Sequence, residues 1–344
     1  MTDHKVVLRF ADGVEKSISI PHGGEVLHHA LLNEIPLIHQ CRAGSCGTCV
    51  CNVAKGDIRL EATTSVSLFP REIEQGQRLS CVTKAYSDGE IILPYSSAEL
   101  LRDPPMKMQA AISELENLNS NVVRLRLVAL SDTPSFTSGT YFMIGVPGRG
   151  ISRAYSPVSR GADFPEVEFL VRLQDGGAMS GYLKDSAKAG DILEVEGPYG
   201  EFKWNKSKNP LVLVAGGTGL APIISILDSI AAERRHREKI LLLFGANNKD
   251  DLFYLDELEE RKEMMPRLEV RVSIVNSSPN WDGDVGHVTE LIQANDIKGN
   301  TEAFLCGPPP MIDAAISRLV KLGASNSAIK YERFAASSEV KNEH

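Results

Sequence analysis

The sequence predicts three folded regions in series: a small α+β domain, an antiparallel β-barrel and an α/β domain on a parallel sheet. Three observations predict them. Near the start, VVLRF and EKSISI flank an Asp-Gly turn and precede an amphipathic helix. From about residue 107, alternating apolar and polar residues run between Gly- and Pro-rich turns. From Asn209 the pattern becomes apolar strand, then helix, repeatedly. The expected boundaries are 1–96, a linker at 97–106, a barrel at 107–207, an α/β domain at 208–335 and a disordered tail at 336–344.

The first region is ordered by GEVLHHALLNE, which puts Val26, Leu27, Ala30 and Leu31 on one helical face. After it comes CRAGSCGTCVC, with four of the chain's six cysteines. Disulfides, zinc and an iron–sulfur cage compete for them. The opening MTDHK lacks a secretory pattern, and no apolar run approaches the roughly 18 residues of a membrane span. A cytoplasmic, reducing location is therefore expected, which argues against disulfides. Zinc ribbons want two C-x2-C pairs, and only one is present. Cys41, Cys46 and Cys49 have the spacing C-x4-C-x2-C, and Cys81 follows in RLSCVTK, which is the plant-type [2Fe–2S] arrangement. Gly44, Ser45 and Gly47 are small enough for backbone N–H groups to close on the cluster. Cys51 can replace Cys49 or Cys81 as ligand, or serve as a small core residue of the strand VCNVAKG. Residues 5–95 resemble a plant-type ferredoxin domain, and the resemblance implies a β-grasp fold.

SSAELLRDPPMKM forms the boundary, because Pro104–Pro105 favours an extended spacer. Beyond it, VVRLRLVAL sets Val123, Leu125, Leu127 and Ala129 opposite Arg124 and Arg126, and VEFLVRL is a second strand. In RAYS, Arg153 is suited to a diphosphate. Tyr155 shares its strand face and can lie on a flat ring, and Ala154 and Ser156 flank it. In GGAMSGYL, Gly177, Ala178, Met179 and Ser180 open a helix whose free N–H groups suit a pyrophosphate. A surface Arg, a core Tyr and a plain turn would account for the same residues.

PLVLVAGG opens the third region as a strand, and KILLLFGA, LEVRVSIV, EAFLCGP and SAIKYERF continue it. The loop after the first strand carries Gly216, Gly217, Thr218, Gly219, Leu220, Ala221 and Pro222. Its amides and the helix that follows suit a diphosphate, although Pro222 stands where the Rossmann fingerprint has its third glycine. CGPPPM, with Cys306, Gly307 and Pro308, ends a later strand, so both loops should line one crevice.

The order R-x-Y-S, G-x-x-S, Gly-rich loop, Cys-Gly-Pro resembles the ferredoxin reductase-like flavoproteins. That resemblance implies FAD contacts at Arg153, Tyr155, Ser156 and Gly177 to Ser180, with GPYGEF ending the barrel. It also implies a nicotinamide site at the Gly-rich loop and Cys306, and an aromatic cover for the flavin at Phe334. Ser156 and Cys306 are the residues expected beside hydride transfer. In GANNKDDLFYLDEL, Asn247 stands where relatives often carry Arg, and Lys249 sits among Asp250, Asp251, Asp256 and Glu257. Acidic surroundings repel a 2′-phosphate, so NADH is expected over NADPH.

The whole chain resembles the one-chain reductase components of multicomponent oxygenases, similar to those of benzoate and anthranilate dioxygenases. The implied partner is an oxygenase component or its ferredoxin, foremost a Rieske-type aromatic-ring dioxygenase. Reductases of soluble di-iron monooxygenases and of deoxysugar synthesis are the runners-up, and a non-enzymatic iron–sulfur carrier or sensor is the alternative of another class. A net charge of −8 argues against nucleic acid as a partner.

Overall fold

The computed structural model describes residues 2–39, 44, 47–61, 66–68, 70–101, 106–131, 136–200, 202–233 and 236–334. The chain divides between residues 104 and 105 into two compact units. Pro104, Pro105 and the tail expected at 336–344 lie outside the described residues.

In the N-terminal unit, Asp3–Arg9 pairs antiparallel with Glu15–Pro21 and parallel with Gly89–Ile92. Val50–Lys55 and Gln77–Leu79 complete a five-stranded sheet. Gly13 turns the hairpin at φ +84°, a conformation that favours glycine. The helix Val26–Leu32 buries Val26, Leu27 and Ala30, the face its spacing predicts. They meet Val6, Leu8, Ile18, Ile20 and Ile91 in one core. This is the β-grasp. The stretch expected to begin a spacer is instead a 3-10 turn, Ser97–Leu101. Asp12 tethers it, accepting hydrogen bonds from the Ser96 hydroxyl at 2.7 Å and the Ser97 amide at 2.8 Å.

The second unit opens with six antiparallel strands in the order Ile151–Tyr155, Tyr141–Val146, Ile192–Tyr199, Met106–Asn117, Val122–Ala129 and Glu166–Arg172. A bridge between Pro157 and Phe169 joins the two ends into a barrel. Val123, Leu125 and Leu127 point inward as the alternation predicts. On the arginine face, Arg126 is 41% exposed but Arg124 is covered. Arg124 is only 11% exposed and is bonded to Glu116 at 2.7 Å and Glu257 at 2.5 Å.

The remaining strands form a parallel sheet in the order Asp284–Val285, Leu268–Ile274, Ile240–Ala246, Leu211–Gly216, Glu302–Gly307 and Ile329–Arg333. All six residues of Leu211–Gly216 are buried, which explains why it reads as a continuous apolar run. Leu211, Leu213 and Ala215 enter one core, with the helix Leu220–Glu233. Val212 and Val214 enter another, with the helix Pro309–Lys321. Each of these Leu and Val side chains contributes about 1.5–3 kcal/mol by leaving water. The first of these cores also takes in Val122, Val158, Leu170 and Phe202 from the barrel, so barrel and sheet share it. No helix among the described residues is long and apolar enough to cross a membrane.

Candidate functional site

At the cysteine loop, Cys49 and Cys81 are buried, and their sulfurs stand 3.2 Å apart. The Ser80 amide donates to the Cys49 carbonyl at 3.0 Å, tying the fourth-cysteine segment to the loop. Gly44 and Gly47 have φ of +73° and +78°, and a Cβ on Gly44 would meet Val82 at 3.1 Å. Small residues are therefore required on this loop by conformation as well as by space. Cys41, Cys46 and Ser45 lie outside the described residues. Cys51 sits in the strand Val50–Lys55 at 1% exposure. Burial first, and then Cys49, push its thiol far up, which fits a neutral core residue.

In the barrel, Ile144 faces Arg153 and Phe142 faces Tyr155 across the 141–146 and 151–155 strands. Arg153 and Tyr155 thus share a face, with Ala154 between them. Among the described residues, Arg153 donates to the neighbouring Ser152 carbonyl alone, at 3.0 Å. Tyr155 packs against the barrel core, and burial raises its phenol pKa, so it is neutral. Ser156 is buried where the strand ends. Gly177 precedes the helix Ala178–Asp185, whose Met179 is buried against the barrel. Ser180 accepts a hydrogen bond from the Gln174 amide at 2.8 Å, which holds the GGAMS turn closed.

The two loops of the parallel sheet interlock. Ala215 and Cys306 are register partners on adjacent strands, at the point where the strand order reverses. A Cβ on Gly216 would meet Met311 at 2.7 Å and Pro308 at 2.8 Å. One on Gly219 would lie 2.3 Å from the Cys306 carbonyl oxygen. Gly217, at φ +54°, turns the chain into a short 3-10 segment through Thr218 and Gly219. Leu220, Ala221 and Pro222 then form the buried first turn of the helix. Gly307 accepts from the Phe334 amide at 2.7 Å, which brings the aromatic candidate beside the Cys-Gly-Pro loop.

Cys306 is fully buried, and burial and then Glu332 hold its thiol well above its ordinary pKa. Its thiol is therefore neutral and not a thiolate nucleophile. Glu332 is its register partner and is itself buried. A Cβ on Gly200, in the GPYG segment, would stand 3.6 Å from the Glu332 carboxylate. Sequence reasoning missed Glu332. Its place opposite Cys306 depends on the register of two strands far apart in sequence.

The shape of the loop pair gives a direct prediction. Backbone atoms block a Gly219 side chain and cannot swing aside. Gly219→Ala should raise the KM for NADH at least about tenfold in a ferricyanide assay, since a misplacement of 1 Å costs on that scale or more. Gly299→Ala, in open space, should leave it unchanged.

Three family models match in series. They are a 2Fe-2S iron-sulfur cluster binding domain at residues 10–86, an oxidoreductase FAD-binding domain at 109–204 and an oxidoreductase NAD-binding domain at 213–316. The toluate 1,2-dioxygenase electron transfer component of Pseudomonas putida is 35% identical over 338 residues, covering 97% of this chain and 99% of that protein. The chain belongs to the family of one-chain oxygenase electron transfer components. The anthranilate 1,2-dioxygenase component of Acinetobacter baylyi is 29% identical over 98% of this chain and 99% of its own. Among solved structures, the Amycolatopsis cytochrome P450 reductase GcoB superposes with a TM-score of 0.73 at 26% identity, covering 97% of this electron transfer component and 100% of that chain. The ferredoxin reductase of carbazole 1,9a-dioxygenase, at 22% identity and a TM-score of 0.71 over 97% and 100%, shares the fold.

The cofactors of this electron transfer component are a [2Fe–2S] cluster, FAD and NADH. The residues present fit them. Two buried cysteine sulfurs 3.2 Å apart are a soft donor set suited to iron. At Gly217 the turn leaves room that a side chain would occupy, the nearest atom standing 3.5 Å from where its Cβ would be.

Proposed function

We propose that this electron transfer component takes hydride from NADH and delivers single electrons to a separate oxygenase, most directly a Rieske-type aromatic-ring dioxygenase. The observation that carries the reading is the serial order of cluster, FAD and NAD domains in a chain that matches the toluate dioxygenase component almost end to end. When bound, FAD accepts two electrons together and passes them on singly, and the [2Fe–2S] cluster carries one at a time. Cys49 and Cys81, with Cys41 and Cys46, supply the thiolates for the cluster. Arg153 offers parallel donors to the flavin diphosphate, and the amides of Gly177 to Ser180 complete that seat. Tyr155 and Phe334 supply the two ring faces, and Ser156 its hydroxyl. The 216–219 amides hold the NADH diphosphate, and Cys306 stays neutral beside the nicotinamide.

NADH is favoured over NADPH by the fate of Lys249. Its ammonium donates to the Asn280 carbonyl at 2.7 Å, and the adjacent Asn248 is bonded to Asp251 at 2.8 Å. A cytoplasmic site of action is supported by the buried free thiols at Cys51 and Cys306.

A second acceptor class has its own support. The xylene/toluene monooxygenase electron transfer component of Pseudomonas putida is 34% identical over 92% of this chain and 90% of its own. Turnover with each purified oxygenase class separates the two readings.

The relay itself is tested by anaerobic titration with NADH, following visible absorbance and electron paramagnetic resonance together. Bleaching of flavin and cluster, with a low-temperature S = 1/2 signal, is the expected result. Flavin bleaching with no cluster signal would overturn the one-electron exit.

A further inference from the structure

We propose that Ser225, supported by Ser229 one turn further on, is a positioning residue for hydride transfer. The two hydroxyls staple the helix behind the Gly-rich loop to the barrel. The proposal rests on the reading of that loop as the NADH seat and of residues 153–156 as part of the flavin seat.

The sequence of the helix makes Ser225 unusual. Every residue from Leu220 to Leu227 is buried, and Ser225 is the one hydroxyl among them, at 0% exposure. A buried hydroxyl without a partner is costly. A serine in a helix can meet that need locally, by bonding to the carbonyl four residues back. Ser186 does so, donating to the Tyr182 carbonyl at 3.3 Å. Ser225 instead donates out of its helix to the Ser159 carbonyl, at 2.7 Å.

The acceptor is itself held in place. The Ser159 hydroxyl accepts from the Glu168 amide at 2.8 Å, and the Val158 amide donates to the Glu168 carbonyl at 2.8 Å. Pro157 bridges to Phe169 on the same strand. The segment that follows Ser156 is therefore fixed to the barrel, and Ser225 is fixed to that segment. Ser229 lies on the same helix face as Ser225. Its hydroxyl stands 2.6 Å from that of Ser138. Gly139 permits this approach, since a Cβ there would lie 1.9 Å from the Phe202 carbonyl oxygen and 3.2 Å from Ile226 Cδ1.

The core shared by barrel and sheet is apolar, and apolar packing has no preferred direction. Two hydrogen bonds along one face set the rotation and slide of the helix where packing alone does not. The N-terminal end of this helix carries the 216–219 loop, so a slip of the helix moves NADH relative to the flavin.

The test uses the FAD-loaded full chain as wild type, Ser225→Ala, Ser225→Cys and Ser229→Ala. Four quantities are measured, with flavin content recorded for each protein. They are the charge-transfer absorbance on adding NAD+ to the reduced flavin, the limiting rate of flavin reduction by NADH, ADP-ribose affinity and the melting temperature. Ser225→Ala should lower the limiting rate about ten- to a hundredfold, the scale of a misplacement of about 1 Å. It should weaken the charge-transfer band and leave ADP-ribose affinity and flavin content unchanged. Ser225→Cys, a weaker donor of similar shape, should fall between it and the wild type. Ser229→Ala should act in the same direction with a smaller effect.

An unchanged band and rate in Ser225→Ala would overturn the proposal, and a lowered melting temperature beside them would make the bond purely structural. A parallel loss of ADP-ribose affinity would place the fault in the diphosphate seat and overturn it as well. If Ser225→Ala does not retain flavin, Ser229→Ala decides, and an unchanged band there overturns the staple. Failure of NADH to reduce the flavin of the wild type is a distinct result, which would overturn the hydride reading beneath the proposal.

Discussion

Replacing Cys81 by Ser should abolish electron delivery to the oxygenase while NADH-dependent reduction of a two-electron dye continues at close to the wild-type rate. Cys81 is buried with its sulfur 3.2 Å from that of Cys49, so a hydroxyl here removes one of a contacting thiol pair. Changes in outer-shell partners alone cost metal sites about 10- to 100-fold, and loss of a ligand should exceed the upper figure. Dye reduction should survive because the barrel and parallel sheet form a compact unit with cores of their own. The measurements are the S = 1/2 signal, oxygenase-coupled turnover and dye reduction, with flavin content as the check on folding. Loss of dye reduction in protein that retains its flavin would contradict a cluster placed after the flavin. Cys46→Ser should behave in the same way.

Asp296→Ala should destabilise the parallel-sheet domain by about 3–5 kcal/mol, the usual cost of leaving a buried ion pair with one partner missing. The Asp296 carboxylate is fully buried. It accepts from Arg271 at 2.7 and 2.9 Å, from Lys239 at 3.0 Å and from the Gln293 amide at 2.9 Å. Burial alone would raise its pKa, but the bonds from Arg271, the Gln293 amide and Lys239 outweigh it, and the carboxyl is held below its ordinary value. A lowered carboxyl pKa stabilises the fold at neutral pH and loses that contribution as the pH falls through the lowered value. Acid unfolding followed by circular dichroism should therefore begin at higher pH in Asp296→Ala. Thermal unfolding at pH 7 gives the size of the effect, and a change below 1 kcal/mol would show that the cluster is solvated.

Much of the fold was legible because its signals are local. The Asp-Gly turn, the spacing of Val26, Leu27 and Ala30, and the apolar run at 211–216 each reflect short-range physics. The candidate site was legible where chemistry follows from spacing, as with the cysteines and the two glycine turns. What escaped the sequence depends on contacts between distant segments. Arg124 reads as the polar side of a strand, yet Glu257, more than a hundred residues away in sequence, helps to cover it. Glu332 gained meaning only when strand register set it opposite Cys306. Ser96 and Ser97 read as the start of a spacer because their partner, Asp12, lies more than eighty residues earlier.

The core that takes Val122, Val158, Leu170 and Phe202 from the barrel along with Leu213 and Phe304 from the sheet has a consequence for recombination. A chimera joined near residue 208 would have to match two half-cores never selected together, exposing apolar surface wherever they disagree. A chimera joined near residue 104 cuts none of these packings, because the cysteine-bearing unit closes its own core. Exchange of one-electron outlets between relatives, in nature or by design, is therefore tolerated at the second seam and resisted at the first.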